Sequence, residues 1–153
     1  MELKRATIED CNVIWQMQRT AFAELLAKYE DFDTSPGNES IARIEQKLSH
    51  PHTYFYFIIV DDVTVGAIRV VNAKDGSRKR IAPLFIMQEH RNKGYAQTAM
   101  SEAERIHGSN HWQLDTILQE PANCYLYEKM GYHQTGETEI INEKMTIVYY
   151  EKD

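Results

Sequence analysis

The chain has 153 residues, which fits one domain at roughly 100–200 residues per domain. Asp and Glu total 23 against 17 Lys and Arg, and the resulting charge of −6 argues against general nucleic-acid binding, which needs clustered Lys and Arg. Hydrophobic residues at 42% and charged residues at 26% exclude a disordered chain, and no apolar run approaches the roughly 20 residues that span a bilayer.

The segment from Met1 to Arg5 has no apolar h-region and no small-residue cleavage site, so a cytoplasmic protein is expected. Cys11 and Cys124 show neither metal-ligand spacing nor a CxxC pair, so reduced thiols and no metal are expected.

Leu3 to Ala6 reads as a short first strand. Thr7 and Asp10 stand in capping-box spacing before a helical stretch from Ile8 to Tyr29. Its apolar positions are Val13, Ile14, Met17, Ala21, Phe22, Leu25 and Leu26, which follow the helical period. Pro36 and Gly37 break that helix within Asp31 to Asn38. Ile41, Ile44 and Leu48 mark a second helix, ended by Pro51. Thr53–Val60 and Val63–Asn72 read as a hairpin turning at Asp61-Asp62, with Gly66 marking a bulge in the return strand. Arg80 to Met87 is a strongly apolar strand, as a central one should be. Gly94 to His107 is helical, with Ala96, Ala99, Met100, Ala103 and Ile106 on the packing side. A strand from Trp112 to Leu118 and a helix from Ala122 to Met130, ended by Gly131, follow. Two strands, Tyr132–Ile140 and Glu143–Tyr150, close the chain. Antiparallel hairpins followed by a βαβ crossover give an α/β fold with a mixed sheet.

The stretch from Leu84 to Ala96 carries the chemistry. A strand runs into a short basic loop and then into a helix that opens at Gly94. A helix start offers unpaired N–H groups and a partial positive charge, which suit a phosphate. Gly94 and Ala96 keep side chains small where a phosphate must approach, and Arg91 and Lys93 add charge. The loop is neither a P-loop nor a GxGxxG turn, and a plain glycine turn is the bland alternative.

Arg91-Asn92-Lys93-Gly94-Tyr95-Ala96 resembles the R/Q-x-x-G-x-G/A signature of the GNAT acyltransferase superfamily. The stretch from Asn123 to Tyr132, with Leu126-Tyr127-Glu128-Lys129-Met130-Gly131 inside it, resembles the second signature of that family. One helix and one strand separate the two, as the family requires, and the resemblance covers nearly the whole chain.

The resemblance implies one acyl-CoA N-acyltransferase domain over residues 1–153. Its fold is a mostly antiparallel sheet of about seven strands with about four helices and a cleft between the splayed fourth and fifth strands. It implies acetyl-CoA as co-substrate and direct attack by a primary amine in a ternary complex. Backbone groups of Leu84, Phe85 and Ile86 would pair with the pantetheine arm, and the Ile86 N–H would stabilise charge on the thioester oxygen. Amides from Arg91 to Ala96 would hold the diphosphate, Asn123 the pantetheine, and Lys129 the adenosine end. Tyr127 matches the family's general acid, which protonates the departing thiolate; a core tyrosine is the bland reading. The glutamate some relatives place early in the fourth strand is replaced by Arg80. Glu120 is the first alternative for the base, ahead of His90 and Glu89, and a water chain competes with all three.

The family's acceptor meets the first helices and their loop. Here Glu24, Glu30, Asp31, Asp33, Glu39 and Glu45 stand against Lys28 and Arg43. Glu24, Tyr29, Asp31 and Asp33 are the expected acceptor-binding residues, and the acidic balance points to a small cationic amine. A solvated helix face is the bland alternative. A non-catalytic acyl-CoA sensor and an interaction protein using the acidic surface are the competing functions. Exposed edges of the last two strands would permit a homodimer. No nucleic-acid or membrane partner is expected.

Overall fold

The computed structural model describes residues 1–153. Seven strands form one sheet: β1 (Glu2–Arg5), β2 (Thr53–Val60), β3 (Val63–Val71), β4 (Lys79–Ile86), β5 (Trp112–Ile117), β6 (His133–Asn142) and β7 (Met145–Lys152). Their spatial order is β1-β2-β3-β4-β5-β7-β6, and only the β4–β5 pair is parallel. Four helices flank it: α1 (Cys11–Tyr29), α2 (Ile41–Ser49), α3 (Tyr95–His107) and α4 (Pro121–Lys129). No helix is long and apolar enough to cross a membrane.

Each face of the sheet buries its own apolar cluster. Ile58, Val65, Ile68, Val70, Trp112, Leu114 and Tyr150 pack with Ala99, Met100 and Ala103 of α3. Ile14 and Ala21 of α1 and Ile44 of α2 pack on Phe55, Ala67 and Phe85 from the other side. Beyond the bulge in β3, strand alternation divides the two sets, with Ile68 and Val70 facing α3 and Ala67 facing α1 and α2; Val65, the unpaired residue between Thr64 and Gly66, reaches the α3 side because the bulge breaks the alternation. The α1/α2 side of β5 and β7 has no such helical cover, and that half of the sheet forms the floor of the site.

Several boundaries differ from expectation for identifiable reasons. The Asp10 carboxylate reaches back to the Thr7 amide at 2.8 Å, but it caps a single 3-10 turn, Ile8–Asp10, and α1 starts after it. Val13, expected on the packing face of α1, is exposed, and Gln18 is buried in that helix. Its amide donates to Pro36 O at 2.9 Å and Glu39 Oε1 at 2.8 Å, so hydrogen bonds stand in for hydrophobicity there. Ile106 of α3 is exposed as well. The last hairpin turns at Glu143-Lys144, two residues later than expected, where the Asn142 side chain accepts from the Lys144 amide at 2.8 Å. The irregularity near Gly66 is present, with Ile58 opposite Gly66 and Ile59 opposite Thr64.

Candidate active site

β4 and β5 pair at only two rungs, Lys79 with Trp112 and Arg80 with Gln113. Beyond them the strands part, and the gap joins a cleft of about 930 Å³. Ile81 to Leu84 line one wall, and Asp115, Thr116 and Ile117 line the other. The parting coincides with Ala82-Pro83, where the β3–β4 register shifts opposite Arg69. Proline has no N–H to give a neighbouring strand, so β4 cannot continue a regular ladder on both edges there.

Past the shift, the Met87 amide donates to Val65 O at 2.8 Å. Antiparallel alternation then turns the backbone groups of Phe85 toward β3 and those of Leu84 and Ile86 toward the open gap. The Ile86 carbonyl accepts from Arg91 Nε at 2.8 Å, as that orientation requires. Of the three β4 residues expected to face a pantetheine arm, Leu84 and Ile86 turn their backbone groups to the open gap. Phe85 does not: its side chain is buried and meets Phe22 edge-on with ring centroids 5.7 Å apart.

The loop after β4 presents a row of backbone amides. Asn92 and Gly94 both take left-handed backbone, at φ 64° and 77°. Gly94 caps α3 without a side chain, and the first intrahelical bond runs from Thr98 N to Gly94 O at 3.1 Å. The N–H groups of Tyr95, Ala96 and Gln97 therefore have no helical acceptor, and those of Asn92, Lys93 and Gly94 have no intramolecular acceptor either. A Cβ built on Gly94 would meet nothing within 4 Å, so the approach is open. These features fit a diphosphate. Lys93 and Arg91 are both exposed, but the Arg91 guanidinium is spent on backbone carbonyls, donating also to Ala21 O at 3.0 Å. It bolts α1 to the end of β4, a role the sequence does not reveal because charge carries no direction.

Tyr127 and Asn123 come from α4 and line the cleft opposite Leu84. The Tyr127 ring packs on Tyr132 and Tyr150 at centroid distances of 6.2 and 6.1 Å. Burial pushes its phenol up to about 12, with the charges of Asp115 and Cys124 adding to the shift. Lys129 is exposed and outside the cleft lining.

Glu120, the expected base, stands at the contact between α1 and α4. It precedes α4, lies outside the cleft lining, and accepts from Lys28 Nζ at 2.8 Å and from the Tyr29 hydroxyl. Burial alone would raise its carboxyl, but the hydrogen bonds from Lys28 and Tyr29 outweigh it and hold the group below the usual carboxylate range. Glu120→Gln is therefore expected to keep turnover within about threefold, well short of the hundredfold that removing a general base costs. It should lower the melting temperature slightly, because the tie between α1 and α4 keeps an acceptor oxygen but loses its charge. A hundredfold fall in CoA release would return Glu120 to the chemistry.

Among the expected acceptor residues, Tyr29, Asp31 and Asp33 line the cleft and Glu24 does not. Asp31 is buried and its carboxylate is taken by the Thr34 amide, at 3.0 Å, and the Thr34 hydroxyl. The cleft is also less acidic than the loop suggested. Arg43, Lys47, Arg69 and Arg80 line it as well. Lys47 and Arg43 both face Glu39, at 2.6 and 3.9 Å, and Arg80 pairs with Asp115 at 2.8 Å. Arg69 had a legible signal: it is the lone charge in the apolar run from Val65 to Val71.

The model of the acetyltransferase (GNAT) family matches residues 14–132, most of the chain, and spans both the β4–α3 loop and α4. The chain belongs to the GNAT acetyltransferase family. Solved structures agree on the fold of this acetyltransferase. The spermidine N-acetyltransferase of Vibrio cholerae, in complex with CoA and spermine, superposes with TM-score 0.74 at 15% identity, covering 97% of this chain and 92% of that one. The PaiA N-acetyltransferase of Thermoplasma acidophilum, in complex with coenzyme A, gives 0.68 at 17%, covering 99% and 98%. A GNAT acetyltransferase of Streptococcus pneumoniae gives 0.67 at 14%, covering 97% and 96%. No curated protein sequence matches significantly.

Proposed function

We propose that this GNAT enzyme transfers the acetyl group of acetyl-CoA to the primary amine of a small acceptor, by direct attack in a ternary complex. The observation that carries the reading is the parting of β4 from β5 after two rungs, which leaves Leu84 and Tyr127 lining one gap. When bound, acetyl-CoA supplies the thioester carbonyl as electrophile. The amides of residues 92–97 hold its diphosphate, Asn123 meets the pantetheine, and the Ile86 amide faces the developing oxyanion. The acceptor's ammonium is drawn in by Asp33 and Glu139, cleft carboxylates with no cationic partner in the fold. It loses one proton to water in the open cleft and attacks as the neutral amine. Tyr127 donates to the departing thiolate, and one of the two protons left on the attacking nitrogen replaces the one given up while the other stays in the amide. The products are an amide and free CoA.

Two measurements test this. Acetyl-CoA at 100 times its Kd is expected to stabilise the fold by about 2.7 kcal/mol, read by thermal melting. CoA release across a panel of primary amines reads the transfer. Absence of any stabilisation removes the co-substrate, and stabilisation without release for any amine leaves a binding protein and no enzyme.

A further inference from the structure

The wall of the cleft nearest α2 is short of negative charge. Glu39 is the only carboxylate that pairs there with Arg43 and Lys47, and its Oε1 already accepts from Gln18 Nε2 at 2.8 Å. Arg69 stands beside them on β3 with no carboxylate partner. Its Nε donates to the Ala82 carbonyl at the register shift of β4, which fixes the plane of the guanidinium. Neither terminal nitrogen has an acceptor in the protein. Neither is sealed from solvent, so both face the open cleft, where a guanidinium fork with no protein acceptor is left to take a ligand. Burial first, and then the repulsion of Arg80 and Arg43, lower it to about 10 against the attraction of Glu39, as expected for a cation with too little counter-charge.

We infer that Arg69, flanked by Lys47 and Arg43, binds a carboxylate carried by the acceptor itself. The acceptor is then an amino acid or a similar amine bearing a carboxylate: its ammonium lies toward Asp33, Glu139 and Tyr127, and its carboxylate meets the guanidinium fork. A planar fork with two free donors matches a carboxylate bidentately. The site is separate from the diphosphate loop. Arg69 is anchored at Ala82 and Arg91 at Ile86, four residues farther along β4, or roughly 13 Å at strand rise. This inference rests on acetyl transfer in the same cleft, and its test keeps the two apart.

The test uses matched pairs that differ only in the anionic group: lysine against cadaverine, tyrosine against tyramine, and phosphoethanolamine against ethanolamine. Each is titrated calorimetrically into the protein with CoA present, and CoA release is read in parallel with acetyl-CoA. A carboxylate-bearing member is expected to bind at least about tenfold tighter than its decarboxylated partner, and Arg69→Gln should erase that preference without changing the Kd for CoA. Lys47→Gln, which leaves β3 untouched, should weaken the same member in case Arg69→Gln fails to fold. No preference in any pair, or one that survives both substitutions, overturns the inference. Preference confined to phosphoethanolamine overturns the carboxylate assignment. Transfer to decarboxylated amines alone leaves acetyl transfer standing and removes the carboxylate, whereas Arg69-dependent carboxylate binding without transfer to any amine does the reverse.

Discussion

Tyr127→Phe is expected to lower kcat by about a hundredfold or more while leaving the KM for acetyl-CoA within about twofold. The substitution removes one oxygen from a ring that packs on Tyr132 and Tyr150, so α4 keeps its place against the sheet. The thiolate then leaves without a donor. The pH dependence makes a second, independent test. A phenol held at about 12 stays protonated throughout the working range. As pH rises, the acceptor's ammonium deprotonates and kcat/KM climbs, with no falling limb until pH nears the phenol's own pKa. A bell-shaped profile that falls at pH 8 or 9 would point to a more acidic donor than Tyr127. A Tyr127→Phe enzyme with unchanged kcat would remove the residue from the chemistry and leave it to packing alone.

Hydrophobic period and turn residues made most of this architecture legible, because they record burial directly. Thr53–Val60 and Trp112–Ile117 alternate or run apolar and become strands as read. Gly131 ends α4 with φ 96°, a conformation glycine reaches without strain. The misreadings fall where burial is bonded rather than apolar. Gln18 is as buried as any leucine, and two acceptors satisfy its Nε2 while its Oε1 has no partner. The last hairpin carries no glycine or proline at its turn, so alternation gave no place to stop. The loop from Arg91 to Ala96 was legible as a motif, but the docking of Arg91 on α1 and β4 was not, because its acceptors lie 5 and 70 residues away in sequence. The acidic loop between α1 and α2 was read correctly as charge and incompletely as environment. Lys47 arrives from the last turn of α2 and Arg69 from β3, and only the folded chain brings them to the same cleft.

Gly66→Ala is expected to destabilise the fold by about 3 kcal/mol or more and to weaken acetyl-CoA binding at the same time. A Cβ at Gly66 would lie 2.1 Å from the Phe85 carbonyl oxygen and 3.0 Å from Ile86 Cα. Both obstacles are backbone, so no rotamer relieves the clash and β4 itself must move. The displaced segment is Phe85-Ile86, which pairs with β3 on one edge and offers the Ile86 amide to the cleft on the other. Strand pairing and co-substrate binding should therefore fall together. At this chain length a melting-temperature drop of about 6–12 °C corresponds to that loss. Gly76→Ala supplies the contrast. Its Cβ meets nothing within 4 Å, and only its φ of +90° resists the change, a backbone penalty of about 1–2 kcal/mol. That variant should bind acetyl-CoA normally. Equal melting losses in the two variants, or a destabilised Gly66→Ala protein with unchanged acetyl-CoA affinity, would separate the β3–β4 contact from the co-substrate strand and remove this link between fold and site.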